Sequence, residues 1–144
     1  LPPNRGGFQP PDQEIGYLGE RLVYEDELKK VKAMGQPENM VEWVSQVSPQ
    51  SPFDIKTIRL INGKVEEYYI EVKSTRSLDE SNIYVSSGQV DFFTKADPYG
   101  EFALVTFQPD KTLKQIRRLS FPELRDEFHF DPIKFRLISK EISK

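Results

Sequence analysis

The sequence predicts a mixed α/β domain with helices packed on a central sheet, and three observations predict it. Apolar residues recur at helical intervals from Asp12 to about Ala33. Two strand-like runs flank an Asn62-Gly63 dipeptide, the strongest short hairpin signal. A second helical segment then leads into further strand-like runs.

In the first helix Tyr17, Tyr24, Leu28 and Val31 recur at seven, four and three, which gives one apolar stripe. Glu20 lies three residues after Tyr17 and four before Tyr24, at the edge of that stripe and leaning inward. Glu25, Asp26 and Glu27 read as ordinary surface acids. Gly35, Pro37 and Asn39 end the helix, residues 40–45 read as a short strand and 48–51 as a turn. Residues 53–61 and 65–73 form the hairpin, and 83–85 another short strand. A helix starts at Ser86 or Ser87 and runs to about Lys95, where Asp97-Pro98-Tyr99-Gly100 closes it. Residues 102–107 and 112–119 pair as strands across Pro109-Asp110-Lys111. Residues 121–128 form a helical turn with Pro122 at its first position, and 133–138 are ambiguous.

At 144 residues the chain fits one domain. Hydrophobic residues at 37% and a net charge of −3 exclude a disordered chain. No apolar run is long enough to span a membrane, so no membrane partner is expected. Without cysteine there are no disulfides, zinc–thiolate fingers or thiol nucleophiles. With His129 alone, multi-histidine metal sites are excluded as well, and any metal falls to carboxylates and carbonyls, the ligands of Mg²⁺ or Mn²⁺. His129 itself, between Phe128 and Phe130, reads as packing, and Trp43 as core. The opening Pro- and Gly-rich residues 1–14 read as a linker, with the domain proper over 15–144. The chain is therefore expected to be one module of a longer protein. Lack of cysteine and of an export signal points to an intracellular setting, cytoplasmic or nuclear.

The chemistry concentrates on the hairpin. A two-residue loop at 62–63 fixes the register so that Asp54 falls directly opposite Glu71, their Cβ atoms about 4.5–5.5 Å apart. Lys73, two residues on, projects from the same face, while Phe53, Ile55, Tyr68, Ile70 and Val72 make the opposite, core face. Facing acids destabilise a sheet unless something neutralises them. A divalent cation would do so, and would also lower the pKa of a bound water and polarise a phosphoryl oxygen. Lys73 would orient the water or stabilise charge on the phosphorane, and Glu20 would complete the metal shell or position a metal-bound water. The plain alternative is a solvated sheet face on which Lys73 neutralises two surface acids.

These residues resemble a known pattern. Ser51-Pro52-Phe53-Asp54-Ile55 followed by Tyr69-Ile70-Glu71-Val72-Lys73-Ser74-Thr75 is similar to the Asp…Glu-x-Lys core of the PD-(D/E)xK nuclease superfamily. More narrowly, the chain resembles the nuclease-like C-terminal domain of NO VEIN-type proteins. That match adds Ile15-Gly16 with Gly19-Glu20, Trp43-Val44-Ser45 and Tyr84-Val85-Ser86-Ser87-Gly88-Gln89, in order, over about residues 15–107. The resemblance implies a restriction-endonuclease-like fold, a mixed central sheet flanked by helices. It implies Asp54 and Glu71 as metal ligands, Lys73 as the catalytic lysine and Glu20 as the helix-borne acid. The pattern departs at two points, with no glycine close to Pro52 and with Gln89 where an acid is expected. Related nuclease branches carry a glutamine after the core, near the substrate or the metal water, which gives Gln89 a candidate catalytic role. Ser86-x-x-Gln89 is also a capping box, which by itself explains the glutamine.

Lys111, Lys114, Arg117 and Arg118 put four positive charges in eight residues. Lys114 and Arg118 on one strand face, extended by Lys56, Arg76 and Lys95, are the candidate phosphate contacts, although a charged edge strand explains most of them. Ser74 and Thr75 either touch phosphate or end the strand. The expected function is Mg²⁺- or Mn²⁺-dependent hydrolysis of nucleic-acid phosphodiesters, DNA ahead of RNA. The expected partners are nucleic acid, the other domains of the parent protein and, for two-strand cutting, a second copy in a homodimer. A catalytically silent nucleic-acid- or protein-binding module of the same fold is the alternative, and a small-molecule phosphodiesterase a third reading.

Overall fold

The computed structural model describes residues 11–76, 83–132, 137, 139 and 140. Its helices are α1 (Pro11–Ala33), α2 (Ser87–Ala96) and α3 (Phe121–Glu127). Its strands are β1 (Glu42–Trp43), β2 (Ile55–Ile61), β3 (Lys64–Thr75), β4 (Gly100–Phe107) and β5 (Leu113–Leu119). The strands form one sheet in the order β1-β2-β3-β4-β5. All neighbours are antiparallel except β3 and β4, which run parallel. A parallel pair needs a crossover, and α2 lies in it.

The hairpin has the predicted register, with Ile55 opposite Ile70 and Ile61 opposite Lys64. Asn62 and Gly63 both take positive φ, 52° and 77°, as a two-residue primed turn requires. β4 is buried along its whole length, because sheet neighbours flank it and helices cover both its faces. On one face Ile55, Ile70, Val72, Ala103 and Val105 meet Ile15, Val23 and Val31 of α1. On the other, Phe102 and Leu104 meet Phe93 of α2 and Phe121 and Leu124 of α3.

Several expectations change. The strand over 40–45 shortens to Glu42–Trp43 between two single 3₁₀ turns, and residues 83–86 form no strand. Phe53 precedes β2, so the strand alternation does not reach it; its ring packs on Tyr69 and Phe92, on the face opposite α1. The end of the hairpin face that carries Glu71 and Lys73 is covered by α2, whereas Leu60, Val65 and Glu67 farther along the same face are exposed. α1 begins at Pro11, inside the predicted linker, and Glu14 pairs with Lys111 of the β4–β5 turn at 2.7 Å. The rest of that linker, residues 1–10, and most of the ambiguous tail lie outside the described residues. His129 is exposed, not packed.

The buried stripe of α1 is also shifted. Its fully enclosed positions are Ile15, Gly19, Val23, Glu27 and Val31, at strict intervals of four, with Tyr17, Tyr24 and Leu28 half-buried beside them. Glu27, expected at the surface, is 0% exposed. Its carboxylate accepts from Arg59 Nη2 at 2.9 Å and from Arg118 Nη1 at 3.0 Å. Arg118 also bonds Glu101 and Asp26, both at 2.8 Å. Burial alone would raise the Glu27 pKa, but the hydrogen bond and charge of Arg59 and the charge of Arg118 hold it below the ordinary value.

Candidate active site

Asp54 stands just before β2 and is fixed through both its backbone and its side chain. Its N–H donates to the Ile70 carbonyl at 2.9 Å, and its Oδ2 accepts from the Val72 N–H at 2.8 Å. These bonds carry the hairpin pairing one step past the regular ladder and bring Asp54 into hydrogen-bonding reach of Glu71. Glu71 is buried on the α2 side of β3. Its Oε2 accepts from Lys73 Nζ at 3.0 Å and from Gln89 Nε2 at 2.6 Å.

Gln89 makes the capping box that its spacing suggested and also reaches across to the hairpin. Ser86 caps α2, accepting from the Gln89 N–H at 3.1 Å, and Gln89 Oε1 returns to the Ser86 N–H at 3.1 Å. The same Oε1 accepts from Lys73 Nζ at 3.0 Å. An amide oxygen has two lone pairs and an amide nitrogen two protons, so one side chain serves the cap, the lysine and Glu71 together.

Glu20 arrives from α1 as predicted, edged by two aromatic rings. Trp43 stacks on Tyr17 with centroids 5.3 Å apart and tilts against Tyr24 at 5.2 Å. Its indole N–H donates to Glu20 Oε1 at 2.8 Å, and the Ser45 hydroxyl donates to the same oxygen. The Ser45 N–H in turn bonds the Asp54 carbonyl at 3.2 Å, which ties this corner to the acid pair. Gly19 lets the helix approach: a Cβ there would lie 2.0 Å from Ser74 Oγ. Trp43 was expected only as core and Ser45 not at all; the only hint was their place between Glu20 and Asp54 in the ordered blocks.

The electrostatics fit an acid pair that lacks neutralisation. Desolvation first, then the charge of Glu71, pushes Asp54 well above the ordinary carboxylate range, against the pull of the Val72 N–H and Lys73. Desolvation likewise raises Glu71, with the charge of Glu20 adding to it, against the pull of Lys73 and the hydrogen bond to Asp54. Two raised carboxyl groups side by side are what a divalent cation would neutralise, and their oxygen donors suit Mg²⁺ or Mn²⁺. Among the described residues no three acidic or histidine side chains form a ready-made metal cluster. Asp54 and Glu71 are thus the fitting pair, and Glu20 stands near enough for its charge to act on Glu71 while its Oε1 accepts from Trp43 and Ser45.

The predicted phosphate contacts do not gather at the site. Arg118 lies in the Glu27 network on the α1 face, with its side chain 20% exposed. Lys56 pairs with Glu67 at 3.5 Å and Lys95 with Asp91 at 3.1 Å. Lys114 is exposed on β5, the far edge strand, and Arg76 follows the end of β3, half-buried. Arg117 takes the face opposite Arg118, as the alternation predicts, and bonds Glu127 of α3. Ser74 and Thr75 end β3, and Ser74 faces Gly19 of α1.

Fold and site together define a mixed α/β domain with an acid pair, Glu71 buried and Asp54 half-buried, braced by a lysine and a helix-capping glutamine. The model of the Protein NO VEIN C-terminal family matches residues 19–116, from the glycine of α1 into β5, and the chain belongs to that family. No curated protein and no solved structure matches the chain significantly.

Proposed function

We propose that this domain is a divalent-cation-dependent nuclease, hydrolysing phosphodiester bonds of nucleic acid, DNA ahead of RNA, as one module of a larger protein. The observation that carries the reading is the juxtaposition of Asp54 and Glu71, two desolvated acids within reach of each other, with Lys73 3.0 Å from Glu71. Asp54 and Glu71 would hold the cation, which would polarise the phosphoryl oxygen and acidify a water. Lys73 would stabilise the negative charge that builds on the phosphorane. Gln89 fixes the orientation of both Glu71 and Lys73, and Glu20, held by Trp43 and Ser45, adds negative potential behind the pair.

One observation favours the alternative of a silent binding module. Glu20 Oε1 accepts from Trp43 and Ser45, and among the described residues no third acid stands with Asp54 and Glu71 as a ready-made metal cluster. Incubation with Mg²⁺ or Mn²⁺ and single-stranded, duplex and RNA substrates separates the two readings. The nuclease reading expects cleavage that Lys73→Ala and Glu71→Gln each abolish. Intact strands with every cation and substrate would overturn it.

A further inference from the structure

We propose that an aromatic groove beside the acid pair seats an unpaired nucleobase of the strand being cut; this rests on the nucleic-acid reading above. The rings of Phe53, Tyr69 and Phe92 meet with centroids 4.8 to 5.2 Å apart. Against Tyr69 and Phe92, with Phe53 behind them, opens a groove of about 520 Å³, walled also by Pro52 and Gly88 and rimmed by Asp91 and Lys95.

Its position is what gives the groove meaning. The walls belong to the same segments that build the site. Tyr69 precedes Glu71 by two residues on one face of β3, a separation of about 7 Å. Gly88 immediately precedes Gln89, and Pro52 precedes Asp54 by two. A phosphate at the acid pair would therefore place a neighbouring base at the mouth of the groove. The lining suits a base as well. Aromatic walls receive its π-face, while the rim offers a carboxylate and an ammonium, 67% and 76% exposed, for its polar edge. Gly88 keeps one wall low, since a Cβ there would meet nothing nearer than 3.9 Å. A base stacked within a duplex has both faces covered, so the groove selects single-stranded or locally unpaired nucleic acid.

The test uses hexathymidylate and a fully abasic hexamer of equal charge, added in EDTA to the nitrogen-labelled protein and followed by NMR. Hexathymidylate should saturably shift the amides of Tyr69, Gly88, Phe92 and Lys95, and the abasic strand should bind roughly tenfold or more weakly. Tyr69→Leu should weaken hexathymidylate binding by a similar factor, and Tyr69→Phe should restore it. If Tyr69→Leu does not fold, Gly88→Leu fills the groove from its open side and should exclude the base. Equal binding of the two strands, shifts that spare these amides, or no binding at millimolar hexathymidylate would each overturn the seat. The two readings fail separately. Base-dependent binding without any cleavage in Mg²⁺ keeps the seat and overturns the enzyme, whereas equal cutting of normal and abasic strands keeps the enzyme and overturns the seat.

Discussion

Gln89 shows how a residue that a helix cap explains in the sequence can carry further contacts in the fold. Its capping box with Ser86 was legible from spacing; its bonds to Lys73 and Glu71 were not, because α2 reaches β3 only through tertiary packing. The two roles separate by substitution. Gln89→Ala removes both, and should lower stability by about 1 kcal/mol and reduce cleavage. Gln89→Glu keeps an acceptor for the cap but brings a third carboxylate to Glu71; it should lower the melting temperature in EDTA and tighten Mg²⁺ binding in calorimetry. Asp54 divides in the same way. Its facing of Glu71 followed from the hairpin register, but its bond to the Val72 N–H had no sequence signal. Asp54→Ala therefore leaves a donor unpaired, at a cost of about 1–3 kcal/mol, whereas Asp54→Asn keeps the acceptor and removes the charge. An acid whose folded pKa is raised stabilises fully below its unfolded value, and that contribution is lost as pH rises through the folded value. In EDTA, Asp54→Asn should therefore be more stable than the parent at neutral and alkaline pH. The gain should shrink toward zero as pH falls to the ordinary carboxylate range, as melting curves across pH will check.

At the scale of the element, α1 is the part the sequence describes least completely. Its extent and the inward lean of Glu20 were visible in the tyrosine spacing. The true buried stripe was not, because a glycine and a glutamate occupy two of its five positions and apolar periodicity passes over both. Each has a tertiary reason: Gly19 sits against Ser74, and Glu27 meets arginines from β2 and β5, 32 and 91 residues away. Gly19→Ala should destabilise by about 1–3 kcal/mol, the range for an overfilled contact, and Ser74→Gly should recover much of that loss. Glu27→Ala takes one buried carboxylate from Arg59 and Arg118, which keep Glu101, and should cost about 1.5–3 kcal/mol by chemical denaturation. The Glu27 contribution has the opposite pH sign to that of Asp54, because its folded pKa is lowered: it is present above the unfolded value and lost as pH falls through the folded one.

Across the whole molecule, helices pack on both faces of the sheet while Leu60, Val65 and Leu113 stay exposed at its margins, and the acid pair lies on the face that meets α2. Fold class, hairpin register and the capped second helix were all local enough to read from the sequence. The parallel β3–β4 pairing, the cover over Glu71 and the inward turn of Arg118 are long-range, and no local pattern encodes them. Of the expected phosphate contacts, Arg118 is turned inward to Glu27, and Lys56 and Lys95 make surface ion pairs, so the proposed nucleic-acid binding would rest on the acid pair and the groove more than on a basic surface. The most direct test is calorimetric titration of Mn²⁺ into the protein with a non-cleavable phosphorothioate oligonucleotide present, for the parent, Asp54→Asn and Glu71→Gln. The account predicts saturable binding in the parent and its loss in both variants while their melting remains cooperative. No binding by the parent, or binding unchanged in the two variants, would contradict it.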